Sequence, residues 1–276
     1  MPDRSIPNLL KRRTLIALKC AALFPAFLIG LPLQWLALKT GFRAASRWMP
    51  VIFHRYVLMV LRVRVQKVGA ADRKRPLLIV SNHLSWLDIL VISSLSPVSF
   101  IAKSEVGEWP GFGTLARLQR SIFVERAKRG KTADVNAAIA DRLGDGDAMV
   151  LFAEGTTSDG MRVLPFRSAL IGAAQAATSA GAAEAFLQPL DIAYPRIAGL
   201  PTGRADLPFI AWYGDMDLVP HLMDLLAMPG ITVRATFGAA RLVTPQSDRK
   251  ALTREVETEV RRMHGEAMTG RIREAA

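Results

Sequence analysis

The nine residues Val80-Ser-Asn-His-Leu-Ser-Trp-Leu-Asp88 bring an imidazole and a carboxylate within five positions of each other. His83 is one of four histidines, and it stands where the apolar run Leu77 to Val80 should end as a strand and a helix should begin. Side chains at such a junction reach the rim of an α/β sheet. If Asp88 accepts a hydrogen bond from one ring nitrogen of His83, it fixes the tautomer and raises the basicity of the other nitrogen. That makes a general base of a side chain whose reference pKa is about 6.5. Five steps along a regular helix turn through about 500°, so the two meet only if His83 stays in extended backbone upstream of the helix. Ser85 supplies the break, because as N-cap with Asp88 three residues on it forms a capping box. The same spacing admits a plainer reading, in which Asp88 is only a cap partner and His83 only a loop residue.

A second segment, Phe152-Ala-Glu-Gly-Thr-Thr-Ser-Asp-Gly160, follows another apolar run, Ala148 to Phe152. Glycines bracketing hydroxyl and carboxylate side chains make a tight turn whose backbone amides can face an oxygen of developing negative charge. The same residue types also make ordinary turns. Ser158 raises the question of a membrane-attached serine hydrolase. A nucleophile elbow needs Gly-x-Ser-x-Gly, whereas position 156 is threonine and Gly155 comes one residue early. The third segment, Ser121-Ile-Phe-Val-Glu-Arg126, has Arg117 and Arg120 before it and Lys128, Arg129 and Lys131 after it. These cations either line an anion pocket or form a solvated face.

The elements that must position these residues can be read from the hydrophobic pattern after Arg75. Strand-like runs are Leu77 to Val80, Val98 to Ala102, Ile122 to Val124, Ala148 to Phe152, Phe186 to Ala193, Phe209 to Tyr213 and Ile231 to Phe237. Between them lie helical patterns at Ser85 to Leu95, Gly113 to Leu118, Thr132 to Leu143, Ser168 to Thr178 and Asp217 to Ala227, and Arg249 to Met268 closes the chain as an amphipathic helix. Such alternation predicts an α/β fold with a mixed sheet covered by helices. Proline and glycine around Tyr194 to Pro208 predict a long surface loop.

Net charge is +12 over 276 residues, and its placement matters more than its size. Met1 to Arg75 holds 15 basic and two acidic side chains, so all of the excess lies in the first quarter of the chain. That quarter also contains Cys20 to Leu38, uncharged, with Gln34 its only strongly polar side chain. As a helix this run would reach roughly 28 Å, close to a bilayer's hydrocarbon core. Cations on both flanks fit a membrane anchor held on an anionic surface, and Pro25, Gly30 and Pro32 leave room for a kinked or re-entrant path. A cleaved signal peptide and a buried soluble helix are the alternatives. Val51 to Leu61, interrupted by His54 and Arg55, reads as amphipathic and interfacial. The division expected is an anchor segment, 1–75, and a catalytic domain, 76–276. With its charge balanced, the remainder lacks the basic surface a nucleic-acid partner needs. The lone cysteine excludes a disulfide framework and any CxxC-type metal site, so neither metal nor cofactor is expected.

Taken together and in order, His83 and Asp88 in N-H-x-S-x-x-D, Lys103 in F-I-A-K-S-E, Arg126 in I-F-V-x-R, Glu154-Gly-Thr-Thr-Ser158 and Pro189 in L-Q-P-L-D-I-A resemble the motif blocks of the 1-acylglycerol-3-phosphate O-acyltransferase family. The resemblance runs from Leu77 to Tyr194. It implies that His83 is a general base oriented by Asp88, and that a lysolipid hydroxyl attacks the thioester of acyl carrier protein or coenzyme A with no acyl-enzyme. It also implies that Lys103, Arg126 and the turn Glu154, Gly155, Thr156, Thr157 and Ser158 hold the acceptor head group and the transition state. Membrane lipids are then the surroundings, and the cytoplasmic face of the inner membrane the place. One departure bears on the acceptor. The family's Glu-Gly-Thr block usually continues with arginine, a planar phosphate clamp, and here Thr157 stands there. Thr157 with Asp159-Gly160 looks like bacterial relatives that acylate lyso-ornithine lipid. Lysophosphatidate is expected first, as the family's common acceptor, with lyso-ornithine lipid close behind.

Overall fold

A computed structural model describes residues 6–124, 139, 142–168, 172, 174, 175, 178 and 184–270, with side chains from Leu10 onward. Two long helices come first, α1 (Ile6–Lys39) and α2 (Arg43–Leu61), joined by a short turn and packed against each other. Leu10–Lys39 is long and apolar enough to cross a membrane, its most apolar 18-residue stretch having a mean hydropathy of 2.0. The buried side of the pair is mostly apolar, with Val57, Leu58 and Leu61 of α2 in the core, but it also holds two polar side chains of α1. Lys19 donates to the carbonyls of Met228 (2.8 Å) and Leu61 (3.3 Å), and Gln34 donates to those of Ser46 (2.9 Å) and Leu118 (2.8 Å), so both tie α1 to the protein. Phe24, Leu28, Trp35, Trp48, Ile52 and Met59 instead face outward, each more than half exposed. Water would penalise that face, whereas a hydrocarbon layer favours it. The N-terminal apolar helix therefore fits membrane association.

Pro25 and Pro32 lie within α1, which continues through both. A proline deletes one backbone bond, and the surrounding packing compensates. Phe27 meets Phe53 of α2 edge-on at 5.3 Å, and Tyr56 donates to the Ala22 carbonyl at 2.7 Å.

The sheet that follows contains β1 (Val63–Val68), β2 (Leu77–Ser81), β3 (Val98–Lys103), β4 (Ile122–Val124), β5 (Ala148–Phe152), β6 (Ala185–Ile197), β7 (Leu200–Pro201), β8 (Ile231–Phe237) and β9 (Arg241–Val243). Its order among the described residues is β1-β8-β6-β2-β5-β3-β4, with β7 and β9 also on β6. Strand β2 is central and parallel to both neighbours, with Ser81 level with Phe152 of β5 and Leu190 of β6. Strand β6 runs antiparallel to β8, so the sheet is mixed, as the sequence predicts. Alternate residues feed opposite faces. Leu77, Ile79 and Val150 join one core with α2, α3 (Leu87–Leu95) and α5 (Leu218–Leu226), while Leu78, Val80, Met149 and Leu151 join the other with α6 (Arg249–Thr269). Each such side chain, removed fully from water, stabilises the fold by roughly 1.5–3 kcal/mol. Helix α4 (Phe112–Leu118) closes the edge beside β4.

Two expectations are corrected. Phe209 to Tyr213 is not a strand: a short 3₁₀ turn at Leu207–Phe209 leads into loop, and its apolar residues pack under the His83 segment, Trp212 donating its amide to the Leu84 carbonyl at 2.9 Å. The surface loop does not begin at Tyr194, because β6 runs on to Ile197 and Tyr194 is fully buried. Strand β1, within residues 1–75, pairs with β8 in parallel along its whole length. The patterns Thr132 to Leu143 and Ser168 to Thr178 lie mostly outside the described residues.

Candidate active site

Because β2 and β5 are parallel neighbours in register, the segments leaving their C-terminal ends emerge side by side. One carries His83, the other Glu154. Asn82 fixes the first against β6 by a reciprocal pair, donating to the Ile192 carbonyl (2.8 Å) and accepting from the Ile192 amide (2.9 Å).

The ring of His83 lies flat on Phe152, with centroids 3.7 Å apart and planes 10° apart. Its Nδ1 is 2.8 Å from Asp88 Oδ2. The same Oδ2 accepts the amides of Leu84 (2.7 Å) and Ser85 (2.9 Å). The two readings of the spacing are thus one arrangement: Asp88 turns back over the start of α3, binding backbone amides as a cap does, and those amides hold it against the imidazole. Ser85 is not itself the N-cap. Trp86 occupies that position, and the Ser85 hydroxyl accepts the Leu87 amide at 3.3 Å.

Asp88 is inaccessible to solvent, while the His83 side chain keeps 16 % of its surface. The contact through Nδ1 leaves Nε2 as the other ring nitrogen, without a hydrogen-bond partner among the described residues. Oδ1 of Asp88 accepts the Tyr194 hydroxyl at 2.5 Å. Burial first, and then the charge of Asp88, raise the Tyr194 hydroxyl well above its usual range, so it keeps its proton and donates. A buried carboxylate with four donors is one held in place.

On the neighbouring strand end, Glu154 Oε1 accepts the His83 amide at 3.3 Å, while its Oε2 is buried without a partner. Burial pushes this carboxyl up to about 8, against the amides of His83 and Leu164 and with a further push from Asp88. Glu154 is therefore a protonated acid at neutral pH. The turn after it wraps the His83 segment, the Ser158 amide donating to the His83 carbonyl at 2.8 Å. Gly155 donates to Phe152 and Gly160 to the Ser158 hydroxyl. Thr156 and Thr157 keep amides with no partner among the described residues.

Ser158 is buried, and among the described residues no hydrogen bond joins its hydroxyl to the His83 ring. A serine nucleophile would need that bond. Lys103 ends β3 at the same rim, exposed and without an ion pair among the described residues. Arg126, with Lys128, Arg129 and Lys131, lies outside the described residues. No cluster that could hold a metal occurs among the described residues.

Sequence reasoning missed Tyr194 and a second buried pair, His264 on α6 with Asp191 on β6, 2.9 Å apart. Burial opposes charge on His264, but Asp191 prevails and raises it, while burial raises Asp191. The available signal was Asp191 and Tyr194 in a mostly apolar strand, where a buried polar side chain needs a partner.

Residues 62–193 match the family model described as Acyltransferase. A lyso-ornithine lipid O-acyltransferase of Brucella abortus is 50 % identical over 93 % of this chain and 96 % of its own length. One of Rhizobium meliloti is 43 % identical over 90 % of this chain and 85 % of its own. A 1-acyl-sn-glycerol-3-phosphate acyltransferase of Neisseria meningitidis is 32 % identical over 75 % of this chain and 77 % of its own. Among solved structures, the 1-acyl-sn-glycerophosphate acyltransferase PlsC of Thermotoga maritima superposes with a TM-score of 0.63 at 20 % identity, covering 96 % of this chain and all of its own; the fold is shared.

Proposed function

Because this chain belongs to the acyltransferase family and is an enzyme that transfers an acyl group to a lysolipid, we propose that His83 is the general base of the transfer and that the acceptor is lyso-ornithine lipid. The observation carrying the first part is the His83–Asp88 contact of 2.8 Å, with Asp88 held from its other oxygen by Tyr194. His83 Nε2 takes the proton of the acceptor hydroxyl as its oxygen attacks the thioester carbonyl. The tetrahedral oxyanion faces the amides of Thr156 and Thr157. Its collapse forms the ester, breaks the carbon–sulfur bond and returns the proton from His83 to the leaving thiolate. Asp88 orients the ring and balances its transient charge.

Two observations favour lyso-ornithine lipid over lysophosphatidate, reversing the order expected from the sequence alone. The relatives at 50 % and 43 % identity carry that activity in their names, against 32 % for the lysophosphatidate relative. The turn itself lacks a cation at Thr157 and adds Asp159, whose carboxylate has no cationic partner among the described residues. An acid in that place repels a phosphate and suits an ammonium.

The donor is the thioester of acyl carrier protein or coenzyme A. Both are water-soluble intracellular carriers, which places the catalytic domain, 76–276, on the cytoplasmic face of the inner membrane. Residues 1–75 then act as the anchor, with β1 the piece that joins the sheet. The test is competition between the two lysolipids in detergent with labelled acyl carrier protein. Ornithine lipid should form with a kcat/KM at least about tenfold higher, and Thr157→Arg should move the preference toward phosphate. Equal or reversed preference in the wild type would overturn the acceptor assignment.

A further inference from the structure

Arg167 follows the turn and returns to its base, its amide donating to the Ala153 carbonyl at 2.9 Å, one residue before Glu154. Its side chain lies across Gly155. A β-carbon at that glycine would stand 2.8 Å from the Arg167 Nε and 3.0 Å from its Cδ and Cζ. Gly155 also has φ +73°, so position 155 needs glycine for its backbone and again for the arginine above it. The turn is shaped to admit a guanidinium.

That guanidinium is exposed, and no carboxylate pairs with it among the described residues. It is a cation packed over the motif turn, with no anionic partner among the described residues. A planar guanidinium fits a carboxylate through two parallel hydrogen bonds. A lyso-ornithine lipid carries an α-carboxylate together with a side-chain ammonium. We infer that Arg167 binds the α-carboxylate of the acceptor's amino-acid head group, doing from above the turn what a cation at position 157 cannot do in this chain. With Asp159 on the same turn, the charges match a zwitterion. This inference rests on the lyso-ornithine reading of the site.

The experiment compares full-length wild type with Arg167→Gln, using lyso-ornithine lipid and its α-carboxyl methyl ester as acceptors at saturating acyl donor. Wild type should prefer the free acid by about tenfold or more in kcat/KM, expressed mainly in KM. In Arg167→Gln that preference should fall to about one, and Arg167→Lys should recover part of it. A general folding defect lowers turnover of both acceptors together and leaves their ratio unchanged, so the ratio isolates the contact. If the variant discriminates between acid and ester as wild type does, the assignment of Arg167 is overturned while the acceptor reading stands. If wild type acylates lysophosphatidate and not lyso-ornithine lipid, both fall together.

Discussion

Replacing Tyr194 with phenylalanine removes one oxygen from the site and leaves the ring that fills the core. The lost contact is the 2.5 Å hydrogen bond to Asp88 Oδ1, made where both side chains are inaccessible to water. A hydrogen bond to a charged group contributes about 1.5–3 kcal/mol, and no water stands ready to replace it. Asp88 keeps the amides of Leu84 and Ser85, so the carboxylate stays near the ring, less firmly held. The expected loss in kcat/KM is therefore roughly ten- to 150-fold, at about 1.4 kcal/mol per factor of ten. The assay is initial-rate acylation with purified protein in detergent, run also on the His83→Ala background. In the proposed mechanism Tyr194 acts only through Asp88 and His83, so the second substitution should cost less than about twofold once the imidazole is gone. Full activity in Tyr194→Phe would refute the positioning role. So would an equal loss on both backgrounds, which would mark a general destabilisation.

Other consequences follow from burial and charge. Glu154 is raised to about 8 in the folded protein and returns to its ordinary value on unfolding. The folded state then holds a proton that the unfolded chain has lost, so the stability it contributes is full below about pH 4.5 and disappears as pH rises toward 8. Thermal midpoints should therefore fall more steeply from pH 5 to pH 8 in wild type than in Glu154→Gln, and parallel curves would contradict a protonated Glu154. On the outward apolar face of α1 and α2, Leu28 and Ile52 are both more than half exposed. An aspartate at the centre of a buried membrane helix costs about 2.5–3.5 kcal/mol. Leu28→Asp with Ile52→Asp should shift the protein out of the lipid fraction in vesicle flotation, and unchanged flotation would count against lipid contact at that face.

What could be read from the sequence was what is local. His83 and Asp88 are five residues apart, and a cap at the start of α3 is enough to bring them together, so their types and spacing already carried the pair. Glu154 and its turn were legible for the same reason, as a strand end followed by glycine. Tyr194 was not, because its partner is 106 positions away and is brought near only by the pairing of β2 with β6. Pro195 immediately after it also read as loop. The stretch Phe209 to Tyr213 misled in the opposite sense, its apolar side chains serving burial under the His83 segment rather than strand pairing. Strand β1 gave little signal: Val63 and Val65 hint at alternation, but Arg64, Gln66 and Lys67 surround them and α2 ends only two residues before the strand. Arg167 gave no signal, being one arginine among many until Gly155 was seen beneath it.

The most direct measurement is kcat/KM for acylation of lyso-ornithine lipid by His83→Ala, with circular dichroism and thermal midpoint recorded on the same preparation. A positioned general base contributes about 10²–10⁴-fold, so a folded variant should lose at least about a hundredfold in rate. A folded His83→Ala protein that keeps its rate within a few-fold of wild type would contradict proton abstraction by this imidazole.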